Sequence, residues 1–231
     1  MRIRDITLSV RDLAECAAFY RDVLELLVDE RPDRATVRIG PSRLVLLPGE
    51  RYTGVHHVAF GISPHEFERA HEWLDQRVKI WTINGSEVFP GPPGWNSRSL
   101  YFFGPEEMIL EYIAHDVDAV HSAGPGPAPN PLGIYEIGVA VPDVHAAVAE
   151  LTDGFGLAPF PPQTSTVPPQ TSTFAPVGDH DGLFILVSPE RHWLAAPDHF
   201  PAPSAPIKAT IDAPKRPDGP KTLQSTTIQT Y

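Results

Sequence analysis

Hydrophobic and polar positions alternate with period two over residues 55–62. Val58, Phe60 and Ile62 fall on one side of this stretch and His57, Ala59 and Gly61 on the other, the pattern of a strand with two unlike faces. The bulky side suits packing on a helix; the small side leaves room beside an imidazole. Residues 3–10 alternate likewise, with Ile6, Leu8 and Val10 against Asp5, Thr7 and Ser9. So do residues 134–141, with Ile137, Val139 and Val141 against Glu136, Gly138 and Ala140. A helix signal follows each strand. Asp12 is placed as an N-cap with Glu15 three residues on, and Leu13, Cys16, Ala17, Tyr20 and Leu24 recur at helical spacing to about residue 26. Ser63-Pro64-His65-Glu66 combines a capping serine, a proline at the first helical position and a glutamate three after the cap, ahead of a stripe of Phe67, Ala70, Leu74 and Val78. Asp143 caps a third helix through Leu151.

Short strands follow the first helix at residues 27–28, 35–39 and 43–47, and the second at 80–83, 99–103 and 108–114, with a Pro- and Gly-rich loop at 89–94. The order β-α-β-β-β thus recurs with a period of roughly fifty to sixty residues. A third copy begins at residue 134 and includes a strand at 184–187. A fourth is vestigial: residues 207–211 and 226–231 pattern as strands with no amphipathic helix between them. The organisation expected is two paired modules over 1–118 (1–50 and 51–118), a Pro/Gly linker over 119–131, and a third module over 132–231 with irregular C-terminal strands. Inside the third copy, Pro161-Pro162-Gln163-Thr164-Ser165-Thr166 recurs as Pro168-Pro169-Gln170-Thr171-Ser172-Thr173. It is polar and Pro-rich, a duplicated exposed loop.

Composition narrows the classes. The chain has 231 residues, 42% hydrophobic and 20% charged, enough for real cores in a globular chain. No apolar run is long enough to span a bilayer, and the first residues do not form a secretory signal, so a cytoplasmic protein without a membrane partner is expected. The single Cys16 excludes an internal disulfide framework. A formal net charge of −11 disfavours nucleic acid as a partner.

The repeated β-α-β-β-β unit resembles the vicinal oxygen chelate superfamily, which includes glyoxalases, bleomycin-resistance proteins and extradiol dioxygenases. Residues 3–13, continued by Phe19-Tyr20-Arg21-Asp22-Val23-Leu24, look like the first strand and helix of such a module. His57-Val58-Ala59-Phe60 looks like the first strand of the second. Residues 95–105, closing in Ile109-Leu110-Glu111-Tyr112, look like its last hairpin. The resemblance implies an α+β fold in which the first two modules pair into a curved eight-stranded cup with helices outside. It also implies ligands for a divalent metal (iron, manganese or zinc) on the first and last strands of each module. Carried over by position, these are Asp5, where the family usually has histidine, His57 and Glu111, with His57 and Glu111 also as catalytic groups. The remaining position falls near Val45, which cannot ligate. Three ligands argue against a glyoxalase I, which uses four. Gly104-Pro105-Glu106-Glu107 stands where the family usually has Asp-Pro-x-Gly, so that hairpin is expected to differ.

Each of these residues has a plainer reading. Asp5 can end a strand in solvent or pair with an arginine. His57 can be a hydrogen-bonding histidine with no metal. Glu111, inward on a central strand, is costly unless paired or bound, and Arg98 or Arg38 could pair it. Trp95, Asn96, Arg98, Tyr101 and Phe103 are the candidate pocket lining, against ordinary packing. The third copy offers Glu136 and Leu186 at its ligand positions, which is no metal set. Its expected task is to close the sheet edge, shape the pocket or pair with a second subunit in a homodimer. His180 between Asp179 and Asp181 reads as a solvated turn, and Arg191, His192 and Trp193 as pocket rim. Two functions follow. One is a metal-dependent lyase, isomerase or dioxygenase acting on a small metabolite with adjacent oxygens. The other is a metal-free protein that sequesters a small aromatic or apolar compound, as bleomycin-resistance proteins do.

Overall fold

A computed structural model describes residues 1–49, 52–162, 171–189, 191–193, 201–203 and 205–231; most of the duplicated Pro-rich loop lies outside them. The first module comprises β1 (Arg2–Val10), α1 (Leu13–Ala18), β2 (Val28–Arg31), β3 (Arg34–Ile39) and β4 (Ser42–Pro48). The second comprises β5 (His57–Gly61), α2 (Phe67–Asp75), β6 (Phe89–Pro90), β7 (Ser97–Phe103) and β8 (Ile109–His115). The third has β9 (Gly133–Ala140), α3 (Val144–Phe155), β10 (Phe174–Asp179) and β11 (Gly182–Val187). Three strands remain, β12 (Ile207–Asp212), β13 (Lys221–Leu223) and β14 (Thr226–Thr230), with no helix among their described residues.

The caps form as their chemistry requires. Asp12 Oδ1 accepts from the Glu15 amide at 2.9 Å, and Asp143 Oδ1 from the Ala146 amide at 2.9 Å. Glu66 does not reach back to its own cap. Its buried carboxylate accepts from the amides of Gly124 at 2.9 Å and Asn130 at 3.3 Å, and so clasps the Pro/Gly segment. The helices lie on one face of the sheet, where Val58 and Phe60 pack with Phe67, Ala70 and Leu74, and Ile137 and Val139 with Val144, Ala147 and Leu151. Each large side chain buried there contributes about 1.5–3 kcal/mol.

All fourteen strands belong to one open sheet, which confirms an α+β fold of repeated βαβββ units with a helix-less fourth. The pairing of modules differs from expectation. β1 pairs antiparallel with β12 of the fourth unit (Ile6↔Ala209, Leu8↔Ile207), not with β5. β5 pairs antiparallel with β9 of the third unit (Val58↔Ile137, Ala59↔Glu136). The cup is therefore built from modules two and three, of seven strands, with an isolated bridge between Pro159 and Val177 at its far edge. Modules one and four form a second half. The halves meet between β1 and β9 at a single pair, Ile3↔Ile134, where the Ser42 hydroxyl donates to Ile3 O and accepts from the Ile134 amide. Matching of strand faces explains the choice. β5 and β9 are buried along their whole length, whereas β1 and β12 each keep a partly exposed polar face.

The hairpin between β7 and β8 is as unusual as its sequence. Glu106 and Glu107 both occupy the left-handed region, at φ 55° and 62°, which costs an L-residue about 1–2 kcal/mol. Glu106 has a reason to be there. Its side chain is 4% exposed and accepts from the amides of Arg11 at 2.5 Å and Asp12 at 2.8 Å, which ties the second module to the first helix. Glu107 is exposed and makes no such contact with the described residues. We expect Glu107→Gly to stabilise the fold by about 0.5–1 kcal/mol, through relief of the left-handed strain. Glu106→Ala should cost about 1–3 kcal/mol, because it strands two amides. Urea unfolding midpoints of the two variants would show shifts of opposite sign.

Candidate metal centre

Three ionisable side chains meet inside the cup. His57 stands at the start of β5, Glu111 in the middle of β8 and Glu136 on β9, and their donor atoms all lie within 4.8 Å of one another. His57 Nε2 is 3.4 Å from Glu111 Oε2 and 3.2 Å from Glu136 Oε2. Parallel pairing of β5 with β8 sets Glu111 opposite Ala59, two residues along the same face from His57. Glu136 arrives through the β5–β9 joint, where the register slips between Ala59 and Phe60 so that Ile134 follows Glu136 in the pairing. This bulge leaves Tyr135 unpaired and lets two consecutive residues, Tyr135 and Glu136, face the cup. Gly61 admits the tyrosine, since a Cβ there would fall 2.4 Å from its ring.

By register, Ile185 is the counterpart of Glu111: it lies opposite Gly138, two residues on from Glu136. The fourth corner of the site is therefore an apolar wall, and Leu186, its sequence-based candidate, packs on the helix side.

Hydrogen bonding fixes the imidazole. His57 Nδ1 lies 3.3 Å from the carbonyl of Ile109; a carbonyl only accepts, so Nδ1 carries the proton. The lone pair of Nε2 then faces two carboxyl oxygens. Burial holds both carboxyls up at about 8, with Glu136 adding to the effect on Glu111, and holds the His57 imidazole below its ordinary value. Tyr101, opposite Glu111 on β7, and Ser99 line the cavity beside it. Glu111 Oε2 and Glu136 Oε1 accept no hydrogen bond from the described residues. One imidazole nitrogen and two under-satisfied carboxylates converge, which fits a divalent cation of borderline hardness with coordination positions left open.

The donors open onto a cavity of about 200 Å³. Phe89, Trp95, Tyr101, Phe174, Ile185 and Trp193 give it aromatic and aliphatic walls, and Arg191 is its cation. The guanidinium of Arg191 sits 4.7 Å from the centre of the Phe174 ring and donates to Thr173 Oγ1 at 3.2 Å. Trp193 is anchored by its indole N–H, which donates to Val55 O at 3.0 Å, and its ring lies 5.2 Å from that of His57. The ring crosses Gly138, where a Cβ would lie 2.2 Å from Trp193 and 3.1 Å from His57 Cβ. Gly138→Ala should push the indole aside at a cost of about 1–3 kcal/mol. A red-shifted Trp193 emission, absent in a Trp193→Phe background, would report it.

Of the residues expected at the site, His57 and Glu111 come together. Asp5 does not. It lies in the other half of the sheet, where its carboxylate takes Arg43 Nη2 at 2.9 Å and also pairs with Arg43 Nε, the partner on the adjacent β4. Trp95 and Tyr101 line the cavity. Asn96 is exposed, at φ 48°, and its carbonyl accepts from the Asp116 amide. Arg98 faces the helix side, over the Phe67 ring at 4.0 Å and paired with Glu68. Phe103 shares the face of Tyr101 but packs on Trp81, ring centres 4.6 Å apart. The missed member is Glu136. Its signal was a carboxylate at the histidine-equivalent position of a strand that is otherwise apolar and small.

No model of a known protein family matches this sequence, and no curated protein matches it significantly. Solved structures do. A dioxygenase candidate from Bacillus subtilis superposes with a TM-score of 0.57 over 92% of this chain and 70% of its own, at 15% identity. The V278E variant of glyoxalase I from Zea mays superposes with a TM-score of 0.55 over 99% of this chain and 91% of its own, also at 15% identity. The fold is thus one shared with these solved dioxygenase and glyoxalase structures. No helix among the described residues is long and apolar enough to cross a membrane.

Proposed function

We propose that the cup is the active site of a metal-dependent enzyme, a lyase, isomerase or dioxygenase acting on a small compound with two adjacent oxygens, and that His57, Glu111 and Glu136 hold the metal. The observation that carries this reading is the imidazole lone pair facing two buried carboxyls that have too few donors. When bound, a divalent ion in this donor set supplies Lewis-acid polarisation of a paired-oxygen substrate. The chain's own residues supply the rest. Tyr101 and Ser99 flank Glu111 on the cavity wall. In the metal-free cup burial pushes the Glu111 carboxyl up to about 8, so the site exchanges protons for the ion near neutrality. Trp193, Phe89 and Ile185 exclude water and take an apolar or aromatic body. Arg191 offers a cation to an anionic end of the substrate.

The test is metal content and turnover together. Protein purified without chelator or affinity-tag metal should hold one ion in the cup that His57→Ala removes without unfolding. The loaded protein should turn over a panel of 2-oxoaldehyde–thiol adducts and catechols. A cup that stays empty when iron, manganese and zinc are supplied, yet binds small aromatic compounds, would establish the sequestering protein instead.

A further inference from the structure

A second cluster of ligating side chains lies on the opposite stretch of the same strands. β8 (Ile109–His115) continues past Glu111 to end at His115, and the turn after it (Asp116–Val120) carries Asp118. The turn between β10 and β11 carries His180 and Asp181, shaped by the Asp181 amide donating to Asp179 Oδ1 at 3.0 Å. Donor atoms of Asp118, His180 and Asp181 all lie within 4.8 Å of one another. His180 Nε2 is 3.3 Å from Asp181 Oδ1. A solvated turn accounts for His180 and Asp181 but not for what they face.

Asp118 is 3% exposed, and its Oδ2 meets no donor among the described residues. His115 is 1% exposed, and its Nε2 is likewise without a partner. The Nδ1 of His115 lies 3.2 Å from the carbonyl of Trp95, which must accept, so Nε2 bears the lone pair. That is the tautomer of a metal-ligating histidine. The His115 ring faces His180 at 6.4 Å between centres. Two buried polar groups with unused lone pairs thus adjoin a His–Asp pair from another module.

We propose that Asp118, His180 and Asp181 form a second divalent-cation site, with His115 beside it. Carboxylate oxygen and imidazole nitrogen without sulfur select zinc, cobalt or manganese rather than a soft ion. Arg2, whose Nε is 3.6 Å from Asp181 Oδ2, is largely exposed and swings away as the ion enters. The bound ion ties the exit of β8 to the β10–β11 turn, and so staples together the two modules that share the cup.

Cobalt(II) alone is the probe, titrated into the full chain and followed by absorbance and by bound metal after dialysis. Two ions are expected in the wild type and one in each of His57→Ala and His180→Ala, with none in the double variant. Affinity for the second ion should fall about 10- to 100-fold or more when a ligand is lost. His180 is 40% exposed, so its replacement spares the core; Asp118→Asn is the buried counterpart. If the cup holds no metal, the wild type binds one ion that His180→Ala removes and His57→Ala does not, and the second site still stands. Wild-type cobalt binding retained in both His180→Ala and Asp118→Asn, or no ion left in His57→Ala, overturns it.

Discussion

Glu136→Gln weakens divalent-metal binding in the cup on the order of 100-fold or more, whereas Asp5→Ala leaves it unchanged. The two residues occupy corresponding first-strand positions of their modules, and the sequence points to Asp5 as the ligand and sets Glu136 aside. The structure separates them. Glu136 is 4% exposed and 3.2 Å from His57 Nε2; glutamine keeps its volume and removes its charge from the donor set. Asp5 pairs with Arg43, whose side chain is 57% exposed, and an ion pair of that kind is worth about 0–1 kcal/mol. Asp5→Ala should therefore shift the urea midpoint only slightly. Metal content of the two variants, measured side by side with wild type, decides the matter. Equal loss in both would mean that the cup is not where metal binds.

The second large effect is on pH. Burial raises Glu111 and Glu136 to about 8 in the folded, metal-free cup, from an ordinary 4.5. A folded state that binds more protons than the unfolded chain is favoured at low pH. The contribution of this pair is therefore complete below about 4.5 and is lost as pH rises through about 8. The buried histidines work the other way. His57 is lowered, and His56 falls to about 3, each through burial. Their contribution is present above 6.5 and is lost as pH falls. Between pH 6.5 and 8 the carboxyl pair dominates, so metal-free protein should melt at progressively lower temperature as pH rises through that window. A divalent ion reverses this, because it binds the carboxylates only after their protons leave. Metal-induced stabilisation should grow from pH 6.5 to pH 9, with fewer protons released per ion at the upper end. Tyr101 and Arg191, the other ionisable groups at the cup, do not titrate in that window. Thermal melts with and without manganese, across pH 6–9, give both curves; a metal-induced shift that shrinks with pH would contradict the assignment of the two glutamates.

Local patterns carried much of this architecture. Period-two alternation at residues 57–61 and 133–140 and the capping aspartates at 12 and 143 mark elements that the fold contains. His57 and Glu111 were legible because a small-residue strand face beside an imidazole, and a carboxylate between isoleucines, both need an explanation. What periodicity does not encode is which module faces which. Every first strand has an apolar side for its helix, so each could join any other. The discriminating information lies on the opposite faces. Asp5, Thr7 and Ser9 match Lys208, Thr210 and Asp212 as partly wetted strands, whereas His57-Ala59-Gly61 and Glu136-Gly138-Ala140 match as small-residue walls of an enclosed space. The β-bulge at Tyr135 is a backbone event with no side-chain signature, and it brings Glu136 to the site. Arg98 failed as a pocket residue for a simpler reason. In a strand where Ser99 and Tyr101 face the cup, position 98 must face the helices.

The concentric order of the modules constrains how the polypeptide assembles. The inner pair closes over a short stretch of chain, but Arg4 reaches Asp212 across 208 positions, a loop whose closure is entropically late. During synthesis the first strand therefore waits, one edge bare, until the last strands emerge. The geometry of the cup can mature before the outer half is assembled, and loss of the final twenty-five residues would expose an aggregation-prone edge while leaving the cup intact.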